Sequence, residues 1–375
     1  MMTFLTLADM KKQISELEQK FLAQSSSDDI HAKPPKQNIK IAEKLLSHIS
    51  VQHDVAVFAR VLINVYAGWP FHNEITRLRV LRRLDSIYEN ASTMNVREFA
   101  KKLGGVLNCV PDNHIKVLSY DRSYGYKFDR KYVNVGKNLA AEKQVVTQML
   151  ANNVALIAFS GMFYDKSGAE QLLNFKDKLQ SSSALIIDLH GNSGGDGRYS
   201  DELAFFLCGN RVRSAKEIYV RTNSDAKKFL DTSMPYAKWR NIEMTSDPAL
   251  YIKSTRIDCN LTTGYNKPIY ILTDCFTGSS AEMFCLRMVH HPYVNFVGDN
   301  TMGCEVYGNV GFGNLPESTI AYAIGTNYRV LEYDVFETQG LTPNIKCHDG
   351  ENAFDVALRD FAVQNMSTKD YGIKR

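Results

Sequence analysis

The chain has 375 residues, which against a prior of ~150 residues per domain is enough for two or three domains. Apolar residues make up 44% and charged residues 23%, a balance that excludes wholesale disorder, collagen and a disulfide-stapled scaffold. The formal net charge of +3 is too small to point to nucleic acid or an anionic membrane as a partner.

The opening residues, Met1 to Ala8, hold a short apolar stretch with no cation before it, and Asp9, Lys11 and Lys12 follow at once. That order is wrong for a secretion signal, so the segment reads as the start of an amphipathic helix. Leu7, Met10, Ile14, Leu17 and Phe21 continue its apolar face. Ser25 to Asp29 and then Lys33-Pro34-Pro35-Lys36 read as a linker. Further helices are expected near Ile39–Ile49, through Val51, Val55, Phe58, Leu62 and Val65 up to Gly68-Trp69-Pro70, and through Ile75, Leu78, Leu81, Leu84 and Ile87. Asn95 with Glu98 forms a capping pair for one more. Arg77, Arg79, Arg82 and Arg83 alternate with Glu74, Asp85 and Glu89, which describes a solvated helix face better than a basic binding surface.

From about residue 115 the pattern changes to strands alternating with helices. Val154–Phe159 is an apolar run, Gly168–Leu179 is helical in spacing, and Ala184–Asp188 is a strand of the fully buried kind. The turn Gly191-Asn192-Ser193-Gly194-Gly195 follows, then a helix through Leu203, Phe206 and Leu207. Pro268–Thr273 is a second buried strand, with the turn Thr277-Gly278-Ser279-Ser280 and a helix over Met283–Val289 after it. Val294–Val297 is a strand, residues 317–336 alternate like antiparallel strands, and Ala353–Val363 has helical spacing. The expectation is an α/β core over 114–375 behind an N-terminal helical domain, 1–113.

No segment approaches the ~20 apolar residues of a membrane-spanning helix, so no membrane partner is expected. The seven cysteines (109, 208, 259, 275, 285, 304, 347) are odd in number and include no C-x-x-C pair. They read as buried thiols in a reducing compartment, and a cytoplasmic location is expected. Cys285, His290 and His291 do not share a helix face, so neither a metal nor any other cofactor is expected.

Two turns could carry chemistry, because a strand–turn–helix junction aims free helix N-terminal amides at whatever lies above it. Ser279 or Ser280 could act as a nucleophile there, though serine is also an ordinary N-cap. The glycine turn lets backbone approach a substrate closely; it ends without the Lys-Ser/Thr of a phosphate loop and lacks dinucleotide spacing. An amide donor for an oxyanion remains.

Leu185 through Gly195 resembles the strand-and-loop signature of the C-terminal processing (tail-specific) peptidases. Ile269 to Thr273 with Thr277 to Glu282 resembles their nucleophile turn, Val297 to Gly303 their next strand-turn, and Glu337-Thr-Gln-Gly-Leu-Thr-Pro343 their E-x-x-G stretch. The matches fall in family order. The resemblance implies a crotonase/ClpP-like α/β core, with Ser279 as nucleophile and amides of Ser280 and Gly194 or Gly195 as the oxyanion hole. One branch of the family carries a lysine base 25 residues after the serine; here that position is Cys304, and no lysine lies between Lys267 and Lys346. The other branch, typified by the tricorn core, uses histidine and glutamate. Pro111-Asp112-Asn113-His114 resembles its D-x-H stretch, which implies His114 as base, Glu337 as its support and Asn113 where that branch has serine. Imidazole suits the role because its ordinary pKa of ~6.5 lies near neutrality. His190 stands where the family has arginine, and only about 40 residues separate Ile115 from Val154, too few for the PDZ module many members insert.

The resemblance implies a serine peptidase acting on a peptide or protein substrate through an acyl-enzyme. A non-catalytic relative that binds a ligand or protein, and acyl chemistry on an ester or thioester, are the alternatives. Oligomeric state is open, a homo-oligomer included.

Overall fold

The computed structural model describes residues 5–30, 42–119, 123–126, 132–140, 144–233, 242–245, 247–253, 259–332 and 336–370. In chain order the first half runs α1 (Leu7–Ala23), β1 (Leu45–Leu46), α2 (His48–Asn64), α3 (Glu74–Glu89), β2 (Met94–Asn95), α4 (Val96–Leu107), β3 (Lys116–Leu118), β4 (Ser123–Gly125), β5 (Val145–Met149), β6 (Val154–Phe159), α5 (Lys166–Ser181) and β7 (Ala184–Asp188). The second half runs α6 (Arg198–Cys208), β8 (Glu217–Val220), α7 (Ser224–Ser233), β9 (Ala249–Lys253), β10 (Ile269–Thr273), α8 (Ser280–Met288), β11 (Val294–Gly298), β12 (Tyr307–Asn314), β13 (Ala321–Val330), β14 (Ile345–Lys346) and α9 (Ala353–Asp370). The fold is mixed α/β with an N-terminal helical part, as the periodicity implies.

The chain divides into two interleaved compact units. The first comprises 1–128, 217–253 and 307–330 and so combines the N-terminal helices with an antiparallel sheet. Its strand order is β4-β3-β13-β8-β9, with β12 also paired to β13. Capping begins its helices: Asn95 Oδ1 accepts from Glu98 N as the sequence suggests, and Asn73 Oδ1 accepts from Thr76 N. Of the helix expected over Ile39–Ile49, residues 39–41 lie outside the described residues, and the part after Ala42 is corrected. Leu45 and Leu46 pair with Asn95 and Met94 instead, and Ser47 caps a helix that starts only at His48. The expected linker residues Lys33 to Lys36 lie outside the described residues.

The second unit comprises 129–216, 254–306 and 331–375. Its sheet has the order β14-β11-β10-β7-β6-β5, parallel except for the β5–β6 pair. Every residue of β6, β7 and β10 is buried, which explains their uninterrupted apolar runs. Leu156, Ile186, Tyr270 and Leu272 point to one face and pack with Ala353, Ala357 and Phe361 of α9. Alternation turns Ile157, Leu185, Ile187 and Ile271 to the opposite face. β10 lies between β7 and β11, with Leu272 opposite Asp188 and Thr273 opposite Gly298. Three loops therefore leave neighbouring strands at one carboxyl edge, the usual place for a site in an open parallel sheet.

Candidate active site

The loop after β10 enters α8 through Ser279, whose backbone has φ 52° and ψ −121°. A non-glycine residue adopts that conformation only where its surroundings hold it there. The holding groups are visible. Ser279 N–H donates to Glu282 Oε2 (3.1 Å) and faces Cys304 Sγ (3.1 Å). Glu282 is fully buried and also accepts from Thr301 Oγ1 (2.6 Å), Gly303 N (2.7 Å), Cys304 N (2.9 Å) and Cys304 Sγ (3.3 Å). One carboxylate thus ties the start of α8 to the loop after β11. Burial pushes its pKa up, and these donors oppose the shift.

Asp274 does the same on the other side of the turn. It accepts from Phe276 N, from Thr277 N and Oγ1, and from Gly191 N of the glycine loop (3.0 Å). Asn192, also fully buried, accepts Gly278 N at its carbonyl (2.9 Å) and donates Nδ2 to Phe159 O (3.1 Å). Gly194 is pressed against the turn: a Cβ there would stand 2.7 Å from Gly278 O and 2.8 Å from both Ser279 Cβ and Ser280 N. Gly194 and Gly195 have φ of 94° and 142°, conformations open to glycine. Gly194 N–H is already given to Asn192 Oδ1 (3.0 Å), whereas Gly195 and Ser280 N–H have no hydrogen-bond partner among the described residues. Ser280 is buried, while Ser279 is half-buried.

Glu337 belongs to this unit as well. Its Oε2 accepts from Val306 N (3.1 Å), and the next amide, Thr338 N, donates to Gly303 O (2.7 Å). The structure therefore brings Ser279, Ser280, Gly194, Gly195, Cys304 and Glu337 to one edge. Cys304 is buried, and burial, then the charges of Glu282 and Glu337, push its thiol pKa well up, so the thiol stays protonated. His190 N–H donates to Asp188 Oδ1 (3.0 Å), anchoring the start of the glycine loop, and its Nδ1 lies 2.9 Å from the same oxygen.

His114 and the half-buried Asn113 belong to the first unit, in the turn before β3. Asp112 Oδ1 accepts His114 N (2.7 Å) and lies 3.8 Å from His114 Nδ1. Burial, followed by the positive charges of Arg329 and Lys116, pushes the His114 pKa down to about 3, so its imidazole is neutral at ordinary pH. Burial raises Asp112 to about 6.

Glu282, Asp274 and Asn192 had no role from the sequence alone. Glu282 stood in the quoted turn motif, but the loop it would bind lay some twenty residues on, and nothing local marked that contact. Among the described residues no group of three His, Cys, Asp or Glu side chains is placed to hold a metal. A groove of ≈ 430 Å³ opens between α5 and α6, lined by Leu173, Leu203, Phe205 and Phe206, and includes none of the site residues.

A parallel α/β sheet with a strained serine turn beside a glycine loop defines a hydrolase-like site, and comparison with known proteins gives the family. The model of peptidase family S41 matches residues 153–347, just over half of the chain, and the chain belongs to that family. It is a peptidase, acting on peptide or protein substrates. No curated protein matches it. Among solved structures it is similar to a protein of Parabacteroides merdae described as a candidate peptidase, at 17% identity and TM-score 0.56, covering 84% of this chain and 96% of that one. It is also similar to mature CPAF complexed with lactacystin, at 12% identity and TM-score 0.53, covering 86% of this chain and 98% of that one. Identities this low speak for the fold alone. The tricorn protease aligns at 11% identity over 84% of this chain and 37% of that one, with a TM-score of 0.38.

Proposed function

We propose that the chain is a serine peptidase of the histidine-dependent kind, hydrolysing peptide bonds through an acyl-enzyme. Ser279 Oγ attacks the scissile carbonyl, His114 takes the proton and returns it to the leaving amine, and water then releases the acyl group. Glu337 orients the base, with Asn113 in the fourth position. The oxyanion is met by the Ser280 amide and one glycine amide, and Gly195 suits better than Gly194, whose N–H is engaged by Asn192.

The observation that carries the reading is the backbone of Ser279: a strained serine at a strand–turn–helix junction, next to a helix N-terminal amide with no partner among the described residues. One further fact favours histidine over lysine: the position of the dyad lysine is a protonated thiol, Cys304. A fluorophosphonate probe should form one adduct, mapped to Ser279 and absent from Ser279→Ala. Undiminished labelling of that variant would sink the assignment. Asn113 in place of serine favours the other reading, a non-catalytic binding relative, and an unlabelled parent would support it.

A further inference from the structure

Among the described residues of the second unit, four aromatic side chains are largely exposed: Tyr132, Phe163, Phe205 and Phe276. Single exposed apolar residues are ordinary, but three of these four belong to segments bordering the Ser279 turn. Phe163 is 57% exposed and its backbone is fixed. The preceding residue, Met162, donates its N–H to Gly194 O (3.0 Å) and accepts Asp196 N (2.6 Å). The Phe163 ring lies beside Gly195 of the loop, where a Cβ would come within 3.1 Å of it, and beside Gly161 of its own segment, where one would come within 2.9 Å. Gly194, the next residue, is the one packed on Ser279 Cβ.

Phe276, 50% exposed, stands three residues before Ser279 in the nucleophile turn, its N–H held by Asp274 Oδ1 (3.0 Å). Tyr132, 51% exposed, packs on it with ring centroids 5.6 Å apart. Of the nearby charged groups, Arg198 binds Asp196 (2.6 Å), and Asp274 takes backbone amides. What these segments present beside Ser279 is aromatic surface on rigid backbone.

We infer that Phe163 and Phe276, the latter backed by Tyr132, are specificity-determining residues that select peptides carrying a large apolar side chain, aromatic or long aliphatic, next to the scissile bond. The inference rests on Ser279 being the nucleophile. Removing such a side chain from water against a preset ring favours its substrate by one to two orders of magnitude, because little flexibility is lost on contact.

The test uses quenched fluorescent peptides identical except for Phe, Leu, Gly or Asp on either side of the scissile bond. The parent should cleave the Phe and Leu peptides with kcat/KM at least about 10-fold above the Gly and Asp peptides. That ratio is internal to each variant, so it does not depend on how much protein folds. It should shrink to about 3-fold or less in Phe163→Ala or Phe276→Ala, and persist in Phe205→Ala, which lies on α6 away from the turn. A parent indifferent to these residues, or a preference that survives both substitutions, overturns the inference while leaving Ser279 in its role. Should the parent cleave none of the peptides, binding to Ser279→Ala by fluorescence anisotropy decides the inference, while fluorophosphonate labelling decides the role of Ser279. Tighter binding of the Leu than of the Gly peptide supports it; equal or undetectable binding of both overturns it.

Discussion

His114, its side chain only 12% exposed, shows how one environment changes what the sequence leads one to expect. An ordinary imidazole base would give activity that rises through pH ~6.5. Burial, Arg329 and Lys116 all disfavour the imidazolium and lower the pKa to about 3. A base acts in its neutral form, so a lowered pKa keeps it competent to lower pH. The profile of kcat/KM, which reports the free enzyme, should therefore stay flat from pH 8 to below 6, with its acid limb well under 6.5. An acid limb at 6.5 or above contradicts His114, in this environment, as the base. Gly194 makes the second argument at this scale. Its φ of 94° and the 2.7–2.8 Å approaches that a Cβ would make to Gly278, Ser279 and Ser280 leave no room for a side chain. Gly194→Val should lower turnover by about 10²-fold or more by displacing the oxyanion donors. Turnover within a few-fold of the parent would show that this packing does not shape the hole.

Between elements, the decisive contact is Glu282. It sits on the first turn of α8 and accepts hydrogen bonds from the loop after β11 and from Ser279 itself, so the Ser279 turn cannot relax without breaking them. Glu282→Ala leaves three backbone amides without their acceptor in a buried place. It should cost about 2–4 kcal/mol of stability, measured by urea denaturation, and activity should fall with it. A variant as stable as the parent would mean the strain at Ser279 is held by something else. Helices and strands were readable here because their apolar periods are local: the runs of β6, β7 and β10 and the Asn95–Glu98 cap are written in adjacent residues. The stretch before His48 misled for the same reason in reverse, since its apolar spacing suits a helix while pairing with β2 and the Ser47 cap decide otherwise. Which strand joins which sheet, and hence the interleaving of two units, depends on pairings between distant segments that no local pattern carries.

At the scale of the whole molecule, the membership in peptidase family S41 and the carboxyl-edge loops of β7, β10 and β11 give one account of what the chain does. Of the proposed site, Ser279, Gly194, Gly195 and Glu337 belong to short motifs legible in the sequence, and the structure gathers them at one sheet edge. The residues that hold them, Glu282, Asp274 and Asn192, act through contacts spanning tens of residues, and these emerge only from the folded chain. The central claim is that Ser279 is a nucleophile activated by His114. Its most direct test is the second-order rate at which a fluorophosphonate labels Ser279, measured in the parent and in His114→Ala at pH 7.5. Loss of a general base should slow labelling by about 10²–10⁴-fold. Equal rates in the two proteins would contradict the account.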